Sequence, residues 1–150
     1  VNEIHEFLTV LIPFEHVPAS AQAYAASLVE KGEKRTAPIR ITVGDIVVER
    51  IVDLTLRHAR AYPGFEIMDI GWGPHDGGPY PVFTGTLSVE QIGTTFSRLD
   101  LDGTYAPPMG IAGAMIDAVV GHRFAVSGAR SLLNDIKNGL ETAYRAGVAT

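Results

Sequence analysis

Hydrophobic and polar positions divide the chain into a strand, a helix, a run of strands and a long final helix. Ile4 to Ile12 is rich in Phe, Val, Leu, Ile and Thr and is closed by Pro13. That composition predicts a strand apolar on both faces over much of its length. From Val17 the composition turns to alanine. Pro18 suits a first helical turn and Gly32 the residue past a helix end. A helix is therefore predicted over Ala19 to Lys31, with Ala21, Tyr24, Ala25 and Leu28 at helical spacing. Glu33 to Pro38 reads as a charged, solvated connector.

Strand signals follow in close succession. Ile39 to Val43 is one strand, broken at Gly44-Asp45. Ile46 to Arg60 is longer and alternates: Val48, Val52, Leu54, Leu56 and His58 share one parity, Glu49, Asp53, Thr55 and Arg57 the other. Such a strand is apolar inside and wet outside. Tyr62-Pro63-Gly64-Phe65 places Pro-Gly at the centre of a turn, and a strand through Ile67, Met68, Ile70 and Trp72 follows. Gly73 to Pro81 has loop composition. Val82 to Ile92 and Thr94 to Tyr105 read as two strands turning around Gly93. Strands linked this tightly form an antiparallel meander.

Pro107-Pro108 ends the last strand, because proline gives no donor to a ladder. A helix is predicted from Met109 to Tyr144. Ala112, Met115, Val119, His122, Val126, Ala129, Leu133, Ile136 and Leu140 alternate steps of three and four, one continuous stripe. The predicted fold class is α+β, in which a curved antiparallel sheet of about six or seven strands wraps around the long C-terminal helix. A shorter helix follows strand 1, and residues 1–150 form one domain. A sheet gripping one helix leaves interior space, where ligand sites are common.

Composition narrows the function. The net charge of −5 argues against nucleic-acid partners, which need clustered Lys and Arg. No apolar run is long enough for an integral membrane span, and the N-terminus lacks a secretory pattern, so a cytoplasmic location is the expectation. With no cysteine there is neither a disulfide framework nor a thiolate nucleophile. No metal site or cofactor is expected: His75-Asp76 lacks a third ligand, and Gly71 to Gly78 precedes no helix that could receive a phosphate. Asp100-Leu101-Asp102-Gly103 fails as a calcium loop, since Arg98 stands where its first carboxylate belongs.

Leu101-Asp102-Gly103-Thr104-Tyr105-Ala106-Pro107-Pro108-Met109-Gly110, followed by Asp117 and His122-Arg123, resembles the START-like, or SRPBCC, superfamily. The likeness is to bacterial members with a Gly-x-Tyr-x-Pro-Pro-x-Gly junction before the last helix. Tyr80-Pro81-Val82-Phe83 fits the same group. The resemblance implies a helix-grip fold with a cavity for lipids, polyketides or similar apolar molecules. It implies no particular reaction, because the superfamily includes carriers, aromatase/cyclases and hydroxylase subunits.

The expected ligand cavity is lined by Val52, Leu54, Leu56, His58, Trp72, Leu99, Leu101, Tyr105, Met115, Val119, His122 and Val126. His122 is the one titratable residue in the helix stripe and the first candidate for a proton-transferring or hydrogen-bonding role. His58 ends the inward parity of its strand, and Tyr105 shares parity with Leu99, Leu101 and Gly103. These three are the candidate catalytic residues if the protein is an enzyme; each can equally be structural. Gly103 leaves room for a close helix approach or a ligand. Gly121, Phe124 and Gly128 are read as the back of the helix, a surface that could pair two copies. The leading reading is a non-enzymatic module that binds or transports a small hydrophobic molecule. Its rivals are an aromatase/cyclase- or dehydratase-like enzyme using His122, and a protein-interaction domain with a filled interior.

Overall fold

A computed structural model describes residues 2–31, 34–75, 82–106 and 118–148. The strands are β1 (Glu3–Val10), β2 (Val29–Lys31), β3 (Lys34–Val43), β4 (Ile46–Tyr62), β5 (Phe65–Pro74), β6 (Val82–Gln91) and β7 (Ser97–Ala106). The helices are α1 (Val17–Ser27), entered through a 3-10 turn at Phe14–His16, and α2 (Ala118–Val148). All seven strands form one antiparallel sheet in the order β1-β7-β6-β5-β4-β3-β2. The sheet curls into a half-barrel, and α2 packs against both β1 and β3 to fill its open side.

Turn chemistry agrees with the sequence where glycine is required. Gly44 and Gly64 adopt φ of 60° and 73°, the left-handed region that favours glycine. These turns close the β3–β4 and β4–β5 hairpins.

Four expectations are corrected. The first helix begins at Val17 and ends at Ser27, because Leu28 turns extended (φ −84°, ψ 150°) and leads directly into β2. The supposed connector after Gly32 is strand from Lys34 onward: Ala37, Ile39 and Ile41 continue one buried parity through it. The alternation begins in the charged stretch, and charge alone concealed it. β1 is wet on one face rather than apolar on both, since Glu3, His5, Phe7 and Thr9 are exposed while Ile4 and Val10 are buried.

In α2 the face that packs also differs from the expected one. Its buried residues are Ala125, Gly128, Ala129, Leu132, Leu133, Ile136, Leu140 and Glu141. Phe124 is half-buried and packs on the core. The face carrying Phe124 and Gly128 therefore turns toward the sheet instead of away from it. The predicted stripe holds at Ala129, Leu133, Ile136 and Leu140, all buried, but the packed face is wider and takes in Ala125, Gly128 and Leu132 as well. The predicted helix start at Met109 lies outside the described residues.

α2 also protects the edge of β3 chemically. The N–H of Thr42 donates to Ser127 Oγ (2.8 Å), and the N–H of Arg40 donates to Ser131 Oγ (3.0 Å). An exposed strand edge is a row of unpaired donors and acceptors. Two serines one helical turn apart satisfy two of those donors.

Candidate functional site

Helix α1 spans the mouth of the half-barrel beside the C-terminal half of α2. Its alanines bury little area, and only Val17 and Ser20 of α1 are buried. Gly139 of α2 has no Cβ where the Tyr24 ring lies, so the two helices approach closely there. Beneath α1 is an apolar cavity of about 360 Å³. The sheet contributes Leu56, Met68, Leu87, Val89 and Leu99, and α2 contributes Ile136 and Leu140. α1 adds Val17, Ala21 and Ala25, with Gln22, Tyr24 and Arg35 as the polar lining. Burial pushes the Tyr24 phenol up from its ordinary value, with a smaller push from the charge of Asp135. Asp135 is itself raised by burial, against the pull of Arg40.

A second, polar cleft of about 600 Å³ lies where the N-terminal half of α2 passes between β1 and the β3–β4 turn. Glu3, His5 and Glu6 of β1 face His122, Arg123 and Arg130 of α2 across it. Arg130 Nε donates to Glu6 Oε1 at 3.0 Å. His5 Nδ1 is hydrogen-bonded to Asp102, and that bond, with the charge of Asp102, raises the His5 pKa. The Tyr105 hydroxyl lies 3.0 Å from Nδ1 of His122, which lines the cleft. Tyr105 is buried, and burial raises the pKa of its phenol. A phenol that remains protonated can donate to Nδ1 of the neutral imidazole, leaving the ring proton on Nε2.

The residues singled out from sequence thus separate into groups. Leu56 and Leu99 line the apolar cavity; His122 and Val126 line the polar cleft. Tyr105 joins His122, as a partner on the last strand. Val52, Leu54, Trp72 and Leu101 are buried core residues that line neither space. Trp72 stacks on Phe83 with ring centroids 4.1 Å apart, as a core aromatic. The room left by Gly103 is taken by the Phe83 ring and by the adjoining backbone of Thr84 and Gly85. Met115 lies outside the described residues, as do the side chains of His58 and Val119. Asp76 is likewise outside them, while His75 Nδ1 lies 2.7 Å from Asp53 Oδ1 on the outer face.

The sequence reading missed Met68, Leu87 and Val89, although Leu87, Val89, Leu99 and Leu101 keep the same inward alternation. It also missed every α1 residue of the cavity and Arg35. For Arg35 a signal existed: it is the next odd position before Ala37, Ile39 and Ile41. Among the described residues, no group of three or more His, Asp or Glu could hold a metal ion. Nor is any described helix long and apolar enough to cross a membrane.

No protein-family model matches the sequence, and no curated protein matches it. Solved structures do. The Zhui aromatase/cyclase from Streptomyces sp. R1128 superposes with TM-score 0.55 at 14% identity, over 95% of this chain and 93% of that one. A conserved protein from Geobacillus kaustophilus gives TM-score 0.58 at 14% identity, again over 95% and 93%. The protein TTHA0849 from Thermus thermophilus gives 0.53 at 15% identity, over 94% and 98%. At such identities the likeness speaks for the fold alone. With a curled seven-stranded sheet closed by one long C-terminal helix, the chain shares the helix-grip fold of these structures.

Proposed function

We propose that this protein binds a small hydrophobic molecule in the apolar cavity beneath α1, as a carrier or binding module. The observation that carries the proposal is the cavity itself: about 360 Å³ walled by Leu56, Met68, Leu87, Val89, Leu99, Ile136 and Leu140. Small-molecule sites occupy about 300–1,000 Å³ and are mostly apolar with a few polar groups. An apolar space of this size favours a ligand site over an interior filled by the chain's own side chains. Alanines on α1 also suit entry, since a helix that buries little area costs little to displace.

The test is native mass spectrometry of the purified protein, followed by a titration with 1-dodecanol. Binding near one molecule per chain is expected. Ala25→Phe, which adds a ring from α1 into the cavity, is expected to weaken binding at least tenfold. Binding unaffected by Ala25→Phe would place the ligand elsewhere and defeat the proposal.

A second reading is favoured by one observation, the Tyr105–His122 contact at 3.0 Å. His122, which lines the polar cleft and is backed by the buried phenol, can exchange a proton with a substrate there. In that reading the protein is an acid–base enzyme, in keeping with the aromatase/cyclase activity named for its Streptomyces structural neighbour. Turnover lost on His122→Gln, with dodecanol binding intact, would assign chemistry to the cleft. Retained turnover would remove His122 from it.

A further inference from the structure

Arg35 sits on the inward parity of β3, in line with buried Ala37, Ile39 and Ile41. Its Nε is out of contact with solvent, and the residue lines the apolar cavity. Among the described lining residues it is the only one that is formally charged at neutral pH. A guanidinium brought beside apolar walls loses hydration that only hydrogen bonds or an opposite charge restore. The guanidinium has five N–H donors in a rigid fork, so it can hold a partner on the chain and still present donors to a ligand.

Position gives this cation a meaning. The cavity wall crosses the sheet strand by strand: Leu99 on β7, Leu87 and Val89 on β6, Met68 on β5, Leu56 on β4, then Arg35 on β3. Neighbouring strands lie about 4.8 Å apart, so the apolar part from β7 to β4 runs about 14 Å along the sheet before the cation is reached. Gln22 and Tyr24 line the same cavity from α1, adding polar groups. The space is an apolar trough that ends on a cation.

We infer that the ligand is an amphipathic acid, a linear aliphatic chain with a single terminal carboxylate, whose head group is held by Arg35. Planar carboxylates accept two parallel N–H bonds from a guanidinium, stronger than neutral hydrogen bonds. The chain then lies along the wall from Leu56 toward Leu99. This inference rests on the proposed apolar site and adds the chemistry of its ligand.

Calorimetric titration with sodium dodecanoate, 1-dodecanol and dodecyltrimethylammonium, each below its aggregation threshold, tests it. On the unaltered protein, dodecanoate is expected to bind at least tenfold more tightly than dodecanol, and the ammonium most weakly. Arg35→Gln is expected to abolish that preference, bringing the dodecanoate affinity down to that of dodecanol in the same variant, and Arg35→Lys to keep part of it. Equal affinity for acid and alcohol would overturn the inference and leave the apolar site standing. A preference that survives Arg35→Gln would overturn the role of Arg35. No binding of any of the three would remove the apolar site and the inference together. The ratio on unaltered protein decides the ligand class even if Arg35→Gln fails to fold.

Discussion

The hydroxyl of Tyr105, on the last strand, lies 3.0 Å from Nδ1 of His122, on the final helix. This contact ties β7 to α2 beside the polar cleft, which His122 lines. Tyr105→Phe removes it and leaves a partly buried ring nitrogen without this partner. A loss of about 1 kcal/mol is expected, the usual net worth of one hydrogen bond. Urea denaturation of the variant checks this; unchanged stability would mean that water replaces the phenol at no cost.

The serines on α2 give a more local prediction. Ser127→Ala and Ser131→Ala each deprive one N–H on β3 of its acceptor, Thr42 and Arg40 respectively. Amide hydrogen exchange at those two positions is expected to quicken, each in its own variant, with a stability loss of about 1 kcal/mol apiece. Exchange that quickens throughout β3 in either variant would instead show that the edge opens as a unit.

Much of this architecture was legible because alternation and turn glycines are local signals. Leu99, Leu101 and Tyr105 declared one face, and Gly44 and Gly64 declared their turns. The apolar cavity was less legible, because it is made by α1 lying over strands far away in sequence. Nothing in Ala21 or Tyr24 points to Leu99 or Met68. Arg35 was hidden by a different effect: its charged neighbours made a strand look like a connector. The polar cleft was legible only through His122 and Val126, since its other wall comes from β1, and no local pattern pairs Glu6 with Arg130. Phe124 and Gly128 were placed on the wrong face because the packed face of α2 is wider than one stripe, with Phe124 half-buried at its side and Gly128 and Leu132 buried within it.

Gly103 faces Gly85 across the β6–β7 ladder, and the Phe83 ring occupies the space above it. A Cβ at Gly103 would run into that ring and into the Thr84 carbonyl. Because part of the clash is with backbone, repacking cannot relieve it. Gly103→Ala is expected to cost about 1–3 kcal/mol, as overpacked sites do. The near-ultraviolet signal of the stacked Trp72–Phe83 pair should change with it. A stable variant with an unaltered signal would contradict this packing.

Glu141 connects folding to pH. Burial alone would raise its carboxyl, but the hydrogen bonds from Lys137 and from the N–H of Leu11, with the charges of Lys137 and Arg145, outweigh burial and hold it below the ordinary 4.5. A carboxyl lowered in the folded state stabilises fully above its unfolded value, and that contribution is lost as pH falls through the lowered one. Glu141→Gln is therefore expected to be less stable than the unaltered protein near pH 7, by about 1–2 kcal/mol. The gap should shrink steadily below pH 4.5, the ordinary value. Denaturation midpoints across that range check the sign; a gap that widens on acidification would contradict the assignment.

An apolar molecule held beneath α1 would touch Met68, whose side chain lines the cavity. Methyl-labelled methionine gives a resolved NMR signal for it, and 1-dodecanol is the probe. A saturable shift of the Met68 methyl at one equivalent is expected, abolished by Ala25→Phe. A Met68 signal that stays in place while the protein takes up the probe would contradict it.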